Sequence, residues 1–280
     1  MKDRHIIGRY EILDRLFVEP GRDRLTTIYR ARDPQTHTLA AIKTIRFSEG
    51  SRQEKVRETK DKLQREAALT RHLAHPGIMA TYEAGEAGAL IYVATELVEG
   101  ENVETYCNSA SLLPIKKVLD IVAETADALH YTHEKGLVHR NIKPANIMLL
   151  SNGTVKVAGF GIAKSVDDTQ TKTRALLGTP NYMSPEQAMG LEIDGRSDIF
   201  SLGVVFFRLL TGELPFTDKT LKGLLYKITR SRHPSVTAIN PNIPSGVESM
   251  VDRALAKRVD KRYQSARQMA QDIHIVKREI

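Results

Sequence analysis

Tryptophan is absent from this chain of 280 residues, and cysteine occurs once, at Cys107. A single cysteine excludes an intramolecular disulfide and fits a reducing compartment, so a cytoplasmic location is expected. No uncharged apolar run approaches the roughly 18 residues of a transmembrane helix. The opening stretch, MKDRHIIGRYEILDRL, lacks the apolar centre of a signal peptide. Stacking on nucleic acid would fall to tyrosines and phenylalanines, and these are scattered. The net charge of +7, from 41 basic against 34 acidic residues, is spread along the chain without a nucleic-acid motif. It reads as a soluble basic surface, and no nucleic-acid partner is expected. What is present argues for a folded protein. A hydrophobic content of 41% excludes disorder, and the length suffices for one large domain or two lobes.

The first hundred residues read as strands plus one helix. YEILDRL (10–16), TTIYRARD (26–33) and LAAIKTI (39–45) have β-branched and aromatic character, with PQTHT between the last two. Residues 51–72 are charged, free of Gly and Pro, and suit a helix. MATYEAG and LIYVATEL read as two further strands, and ELVEGEN (96–102) as a linker. Beyond it the pattern turns helical. Ile115, Val118, Leu119, Val122, Ala126 and Leu129 keep three-four spacing, with Pro114 at the start and Gly136 past the end. NIMLL and TVKVA form a strand pair around Ser-Asn-Gly. Four helices follow: SDIFSLGVVFFRLLTG, KTLKGLLYKITRS, SGVESMVDRALAKR and SARQMAQDIHIVKREI. The last two open with capping-box spacing, Ser245 to Glu248 and Ser265 to Gln268.

The order of short motifs is specific. AAIK (40–43), REAALTRHLAHP, HRNIKPAN (139–146), GFG (159–161), GTPNYMSPE (178–186), SDIFSLG (197–203) and DKRYQSA (260–266) follow one another in this sequence. This set resembles the protein kinase family, in particular the bacterial serine/threonine kinases, and covers nearly the whole chain from about Ile7. The resemblance implies an α+β, bilobal fold. Residues 1–97 would form a small N-lobe of antiparallel sheet with one main helix. Residues 98–280 would form a larger, mostly helical C-lobe, with the hinge near 96–100 and nucleotide in the cleft beneath it.

The resemblance also implies site residues. Lys43 matches the strand lysine that holds the α- and β-phosphates, and Glu66 its helix partner. Ile28, Ala41 and Met148 match the apolar residues around adenine. Thr95 falls at the gatekeeper, with Glu96, Leu97 and Val98 as hinge. Lys143 matches the loop lysine near the transferred phosphate, and Asn146 a magnesium ligand. His139 and Phe160 match members of the column joining the lobes. Glu186 and Arg262 match an ion pair bracing the C-lobe, and Asp198 the aspartate that holds the catalytic-loop backbone. Apolar residues and loop amides of this kind also serve ordinary packing.

Three departures fall on chemistry. The aspartate expected after His139-Arg140 is Asn141, an amide that cannot act as a base. The metal-binding aspartate before Phe160 is Gly159. Asp167 and Asp168 lie further along that segment, with nothing in the spacing to make them substitutes. The glycine-rich turn reads FVEPGRDRLTT, with one glycine, Gly21, and with Pro20 removing an amide. Arg22 and Arg24 there read as a solvated basic loop. A deliberate Asp-to-Asn change would silence a kinase, but three losses on three segments outrun a single engineered change.

These losses lead to the expectation of a serine/threonine pseudokinase, not an enzyme. It would be a regulatory or scaffold module for a protein partner such as an active kinase. Pairing through the N-lobe, as homo- or heterodimer, is one route to that partner. No cofactor is required on this reading, ATP binds weakly or not at all, and Mg²⁺ binding is not expected. The alternatives are a weak or unconventional serine/threonine kinase and an ATP sensor that does not hydrolyse. The segment 167–180 matches an activation loop, with Thr171 and Thr173 at phosphorylated positions and Arg140 as the phosphate's partner.

Overall fold

The structure is a computed structural model that describes residues 5–20, 24–48, 53–160, 164–165 and 180–280. The chain divides into two compact units. The first runs to Ala74, resumes at Met79–Glu99 and takes in Phe160; the second holds His75–Ile78, Gly100–Gly159 and the described residues that follow.

The first unit is a sheet with one helix. Its strands are β1 (Ile6–Ile7), β2 (Tyr10–Pro20), β3 (Arg24–Arg32), β4 (Leu39–Phe47), β5 (Thr81–Ala87) and β6 (Leu90–Glu96), with α1 (Gln53–Thr70) between β4 and β5. The spatial order is β1-β2-β3-β4-β6-β5, with antiparallel neighbours throughout. Side chains alternate between faces with period two, so each strand feeds two apolar layers. Ala40, Ile42, Tyr92 and Ala94 pack with Ile7, Tyr10 and Ala31 on one side. Ile45, Ile91 and Val93 pack with Leu63 of α1 on the other.

The β2–β3 hairpin is longer than the sequence reading allowed. Its ladder continues through Phe17↔Ile28 and Val18↔Thr27 to Pro20↔Leu25, with irregularities between Ile12 and Asp14 and between Arg15 and Phe17. Phe17, Val18, Thr26 and Thr27 suit a pleated strand, and Pro20 stands at the strand end, where a missing N–H matters least. The solvated loop expected here is corrected accordingly. Arg24 is a strand residue opposite Phe47 of β4. Gly21 and Arg22 lie outside the described residues.

The second unit comprises β7 (Gly100–Asn102), α2 (Ile115–Glu134), β8 (Leu137–Val138), β9 (Ile147–Leu150), β10 (Val155–Val157), β11 (Lys164–Ser165), α3 (Pro185–Met189), α4 (Gly195–Thr211), α5 (Leu221–Arg230), α6 (Val236–Ile239), α7 (Ser245–Ala254) and α8 (Ala266–Glu279). Val118, Leu119, Val122, Ala126 and Leu129 of α2 are all buried. Helix α4 is buried along almost its whole length. Ile199, Phe200, Leu202, Val204, Val205, Phe206, Phe207 and Leu209 are all buried, the pattern of a helix surrounded by its own domain. Each such side chain contributes about 1.5–3 kcal/mol through burial. Among the described residues, no helix is long and apolar enough to cross a membrane.

Two local readings are corrected. The segment taken as a linker contains β7, which pairs with β9 through Gly100↔Leu150. A Cβ at position 100 would lie 2.3 Å from the Leu149 carbonyl oxygen, so glycine permits this approach. Ser245 does not cap α7: the N-cap is Pro244, with no side-chain bond. Glu248 instead accepts from the hydroxyls of Ser235 at 2.5 Å and Thr237 at 2.8 Å.

Candidate active site

In the second unit, Asp198 of α4 organises the loop at 139–146. Its Oδ1 accepts from the Arg140 amide at 2.7 Å, and its Oδ2 accepts from the His139 amide at 2.8 Å. His133 Nε2 lies 2.8 Å from the same Oδ2. Burial pushes the Asp198 carboxyl up, but the hydrogen bond and charge of His133 and the His139 donors hold it below the usual carboxylate range. His139 is fully buried. Its Nδ1 accepts from the Asn141 amide at 3.2 Å, and Nε2 donates to the Ala158 carbonyl at 3.0 Å, which fixes the neutral tautomer. Burial holds its pKa below the ordinary histidine value, against the pull of Asp198.

Between these anchors Arg140 has a left-handed backbone, φ +64°. That conformation costs a residue bearing a Cβ about 1–2 kcal/mol. The fold holds it from both sides: Asp198 takes the Arg140 N–H, and Gln187 Nε2 donates to the Arg140 carbonyl at 3.0 Å.

Asn141, Asn146 and Gly159 meet at one place. Asn146 Nδ2 donates to the Asn141 carbonyl at 2.8 Å, and the Asn146 carbonyl accepts from the Ala158 amide at 2.9 Å. Gly159 has φ +87°, and a Cβ added there would sit 2.7–2.8 Å from three atoms of the Asn146 side chain. Glycine at 159 is therefore matched by its surroundings in both backbone and space. Lys143 is half-buried at the start of the short helical turn Pro144–Asn146. Met148 lies on β9, opposite Lys156 and Asn102.

The brace of this unit is a buried, bidentate pair. Arg262 Nη1 and Nη2 donate to Glu186 Oε1 and Oε2 at 2.6 and 2.8 Å, and Ser197 Oγ donates to the same Oε1 at 2.6 Å. Burial pushes the Glu186 carboxyl up, and Arg262 and Ser197 bring it below its usual value. Sequence reading missed Gln187 and Ser184. Ser184 caps α3 in a complete capping box with Gln187, a spacing visible in SPEQ. His133 carried no local signal, because its partner lies 65 positions away.

In the first unit, the pairing places the nucleotide-type residues on one sheet face. Ile28 is opposite Lys43, Lys43 is opposite Val93, and Ala41 is opposite Thr95. Directly paired residues share a face, as do residues two apart on one strand. Ile28, Ala41, Lys43 and Thr95 thus lie on the face from which Ile45, Ile91 and Val93 pack on α1. Glu96 is tied at backbone and side chain: its N–H donates to the Ala80 carbonyl at 2.9 Å, and Oε1 accepts from the Ala80 amide at 2.8 Å. Thr95 Oγ1 donates to the Glu96 carbonyl at 3.3 Å. Leu97 follows outside regular structure, and Phe160 is buried. Glu66 lies in α1, but its side chain falls outside the description, as do Asp167, Asp168, Thr171 and Thr173 altogether.

The magnesium of phosphoryl transfer calls for oxygen ligands, carboxylates above all. Asn146 supplies an amide oxygen at most, and position 159 has no side chain. Among the described residues no group of three His, Cys, Asp or Glu is placed to hold a metal. The loop does not by itself make a closed magnesium site.

A family model described as the protein kinase domain matches residues 19–275. The chain is similar to serine/threonine-protein kinase PknB of Mycobacterium leprae, 35% identical over 277 residues, covering 96% of this chain and 43% of that protein. It is 34% identical over 278 residues to PknB of Mycobacterium tuberculosis, with coverage of 96% and 43%. It is 35% identical over 271 residues to serine/threonine-protein kinase PrkC of Bacillus subtilis, with coverage of 96% and 41%. The chain thus spans about two-fifths of the length of the curated relatives it matches. The expected α+β kinase fold, a curled antiparallel sheet in one unit and helices in the other, agrees with these matches.

The same matches overturn the expectation of a pseudokinase that is no enzyme and requires no cofactor. The relatives are named serine/threonine kinases, a class that works with ATP and Mg²⁺. The physical reason lies in the size of what a missing base removes. A general base is worth about 10²–10⁴ in rate, while phosphoryl transfer depends chiefly on positioning and electrostatics. An amide in place of a base would reduce a rate without removing the frame that Asp198 holds.

Proposed function

The chain belongs to the protein kinase family, and on that premise we propose that it is a serine/threonine protein kinase domain of unconventional chemistry, using MgATP as phosphoryl donor. The observation that carries this reading is the loop frame, with both Asp198 oxygens holding the His139 and Arg140 amides and with Asn141 in the base position. Metal enters as part of the substrate, held by the nucleotide's own phosphates.

Phosphoryl transfer passes through a loose transition state with little covalent work for the protein. The acceptor hydroxyl oxygen bonds to the γ-phosphorus, the bond to the β–γ bridging oxygen breaks, and ADP leaves. Asn141 orients the hydroxyl by accepting its hydrogen bond at the amide oxygen, but cannot keep the proton. The proton passes to an oxygen of the transferred phosphoryl group. Lys143, half-buried in the same loop, supplies positive charge to the transferred group. Missing base catalysis places turnover about 10²–10⁴-fold below the usual 1–100 s⁻¹ of kinases.

The test is transfer from labelled MgATP to serine- and threonine-containing peptides. The expected result is slow formation of phosphoserine or phosphothreonine with one ADP per phosphoester, lost in Lys43→Ala. No transfer by the unaltered domain, or transfer undiminished in Lys43→Ala, refutes the proposal.

A further inference from the structure

Gln187 makes two sets of contacts at once. Its Oε1 accepts from the Ser184 amide at 2.9 Å, and its own amide donates to Ser184 Oγ at 3.3 Å, which completes the cap of α3. Its Nε2 donates to the Arg140 carbonyl at 3.0 Å, 47 positions away. A capping box is satisfied equally by glutamate or glutamine at this position. Only glutamine also carries a donor at neutral pH, and only the donor reaches the loop. Capping therefore accounts for half of this side chain and leaves the other half to be explained.

Arg140 provides the explanation. It is one of two non-glycine residues with positive φ among those described, and it immediately precedes Asn141. Its N–H is held by Asp198 and its carbonyl by Gln187. The peptide plane entering Asn141 is thus held at both ends, its carbonyl by Gln187 and its N–H by His139 Nδ1 at 3.2 Å. We propose that Gln187 is a positioning residue for phosphoryl transfer, clamping the Arg140 carbonyl so that Asn141 faces the acceptor hydroxyl. This rests on the kinase reading above.

The decisive variant is Gln187→Glu, which keeps the acceptor for Ser184 and loses the donor to Arg140. The charged groups around the site are Glu186 on the same helix, already paired with Arg262, Asp198 from α4, and Arg140 itself. At pH 8 the variant should lose about tenfold in kcat, the worth of one good hydrogen bond, with KM for MgATP unchanged. Toward pH 4.5, close to the ordinary glutamate value of about 4.3, the introduced carboxyl takes up a proton, regains a donor, and the deficit relative to the unaltered domain should narrow. Backbone amides at 140–142 should exchange faster in the variant at pH 8. Ser184→Ala is the control: it removes the cap, lowers Tm, and should leave kcat and the pH profile alone.

An unchanged kcat in Gln187→Glu, a deficit equal at every pH, or an equal kcat loss in Ser184→Ala overturns the assignment. If the unaltered domain transfers no phosphate, the kinase reading fails, and exchange alone decides the clamp. Faster exchange at 140–142 in Gln187→Glu upholds it, and equal rates overturn it.

Discussion

Asn141 and Gly159 stand where the kinase resemblance expects aspartates, but the molecule treats them differently. At 141 the departure is confined to one side-chain atom. The backbone N–H goes to His139 and the carbonyl to Asn146, and neither bond depends on whether the side chain is amide or acid. At 159 the departure extends into the surroundings. The backbone lies at φ +87°, and the Asn146 side chain sits within 2.8 Å of where a Cβ would be. A change that the neighbours ignore is reversible, whereas one that they have accommodated is not.

The largest effect should come from the reversible site. Asn141→Asp places a carboxylate where the frame already holds its backbone, and phosphotransfer should rise by about 10²–10⁴-fold with Tm nearly unchanged. Steady-state kinetics with a serine peptide measures it. A gain below tenfold would mean that 141 is as far accommodated as 159. Gly159→Asp should do the opposite. Forcing a Cβ against Asn146 at positive φ should destabilise the domain by about 1–3 kcal/mol and leave the rate no higher. Urea unfolding reads the first effect, and an active, fully stable Gly159→Asp would erase the contrast.

Acid separates the two sites more gently. The folded pKa of His139 lies below its unfolded value of about 6.5, so its contribution is full above that pH and fades as pH falls. Asp198 and Glu186, also held low, add a second loss as pH falls below the ordinary carboxylate values of about 4. Stability should therefore decline from about pH 6.5 downward by at most about 1.4 kcal/mol per pH unit for His139, and again below about pH 4. Position 159 carries no proton, so Gly159→Ala should shift the curve without changing its shape. His139→Asn should flatten the upper limb, and urea titrations across pH would show it.

What the sequence revealed was what is local. Three-four spacing marked the buried face of α2, and Pro114 marked its start. Ser265 caps α8 by accepting from the Gln268 amide. The residues of the first unit that align on one sheet face were each named from motif position, because period two converts spacing into direction. The long β2–β3 ladder was misread because Pro20 and Gly21 are turn residues, and turn chemistry was allowed to outweigh strand-forming neighbours. The loop frame was legible in part: the resemblance named Asp198 as the residue that holds the loop backbone, while the contacts of Gln187 and His133 to it carried no signal. Its bonds join positions 58, 59 and 47 apart, and no window of sequence reports such pairs. The expectation of an inactive protein rested on Asn141, Gly159 and the single glycine of the turn between β2 and β3.

The Glu186–Arg262 pair has a kinetic consequence. It joins residues 76 positions apart across α4, α5, α6 and α7. Closing a chain of that length carries an entropic cost on the order of 4 kcal/mol, which must be met before the pair is worth anything. Such a contact is expected to form after the folding barrier, once the helices between are in place. Its weight then falls on the unfolding limb: Arg262 does little for how fast the second unit folds and much for how long it stays folded.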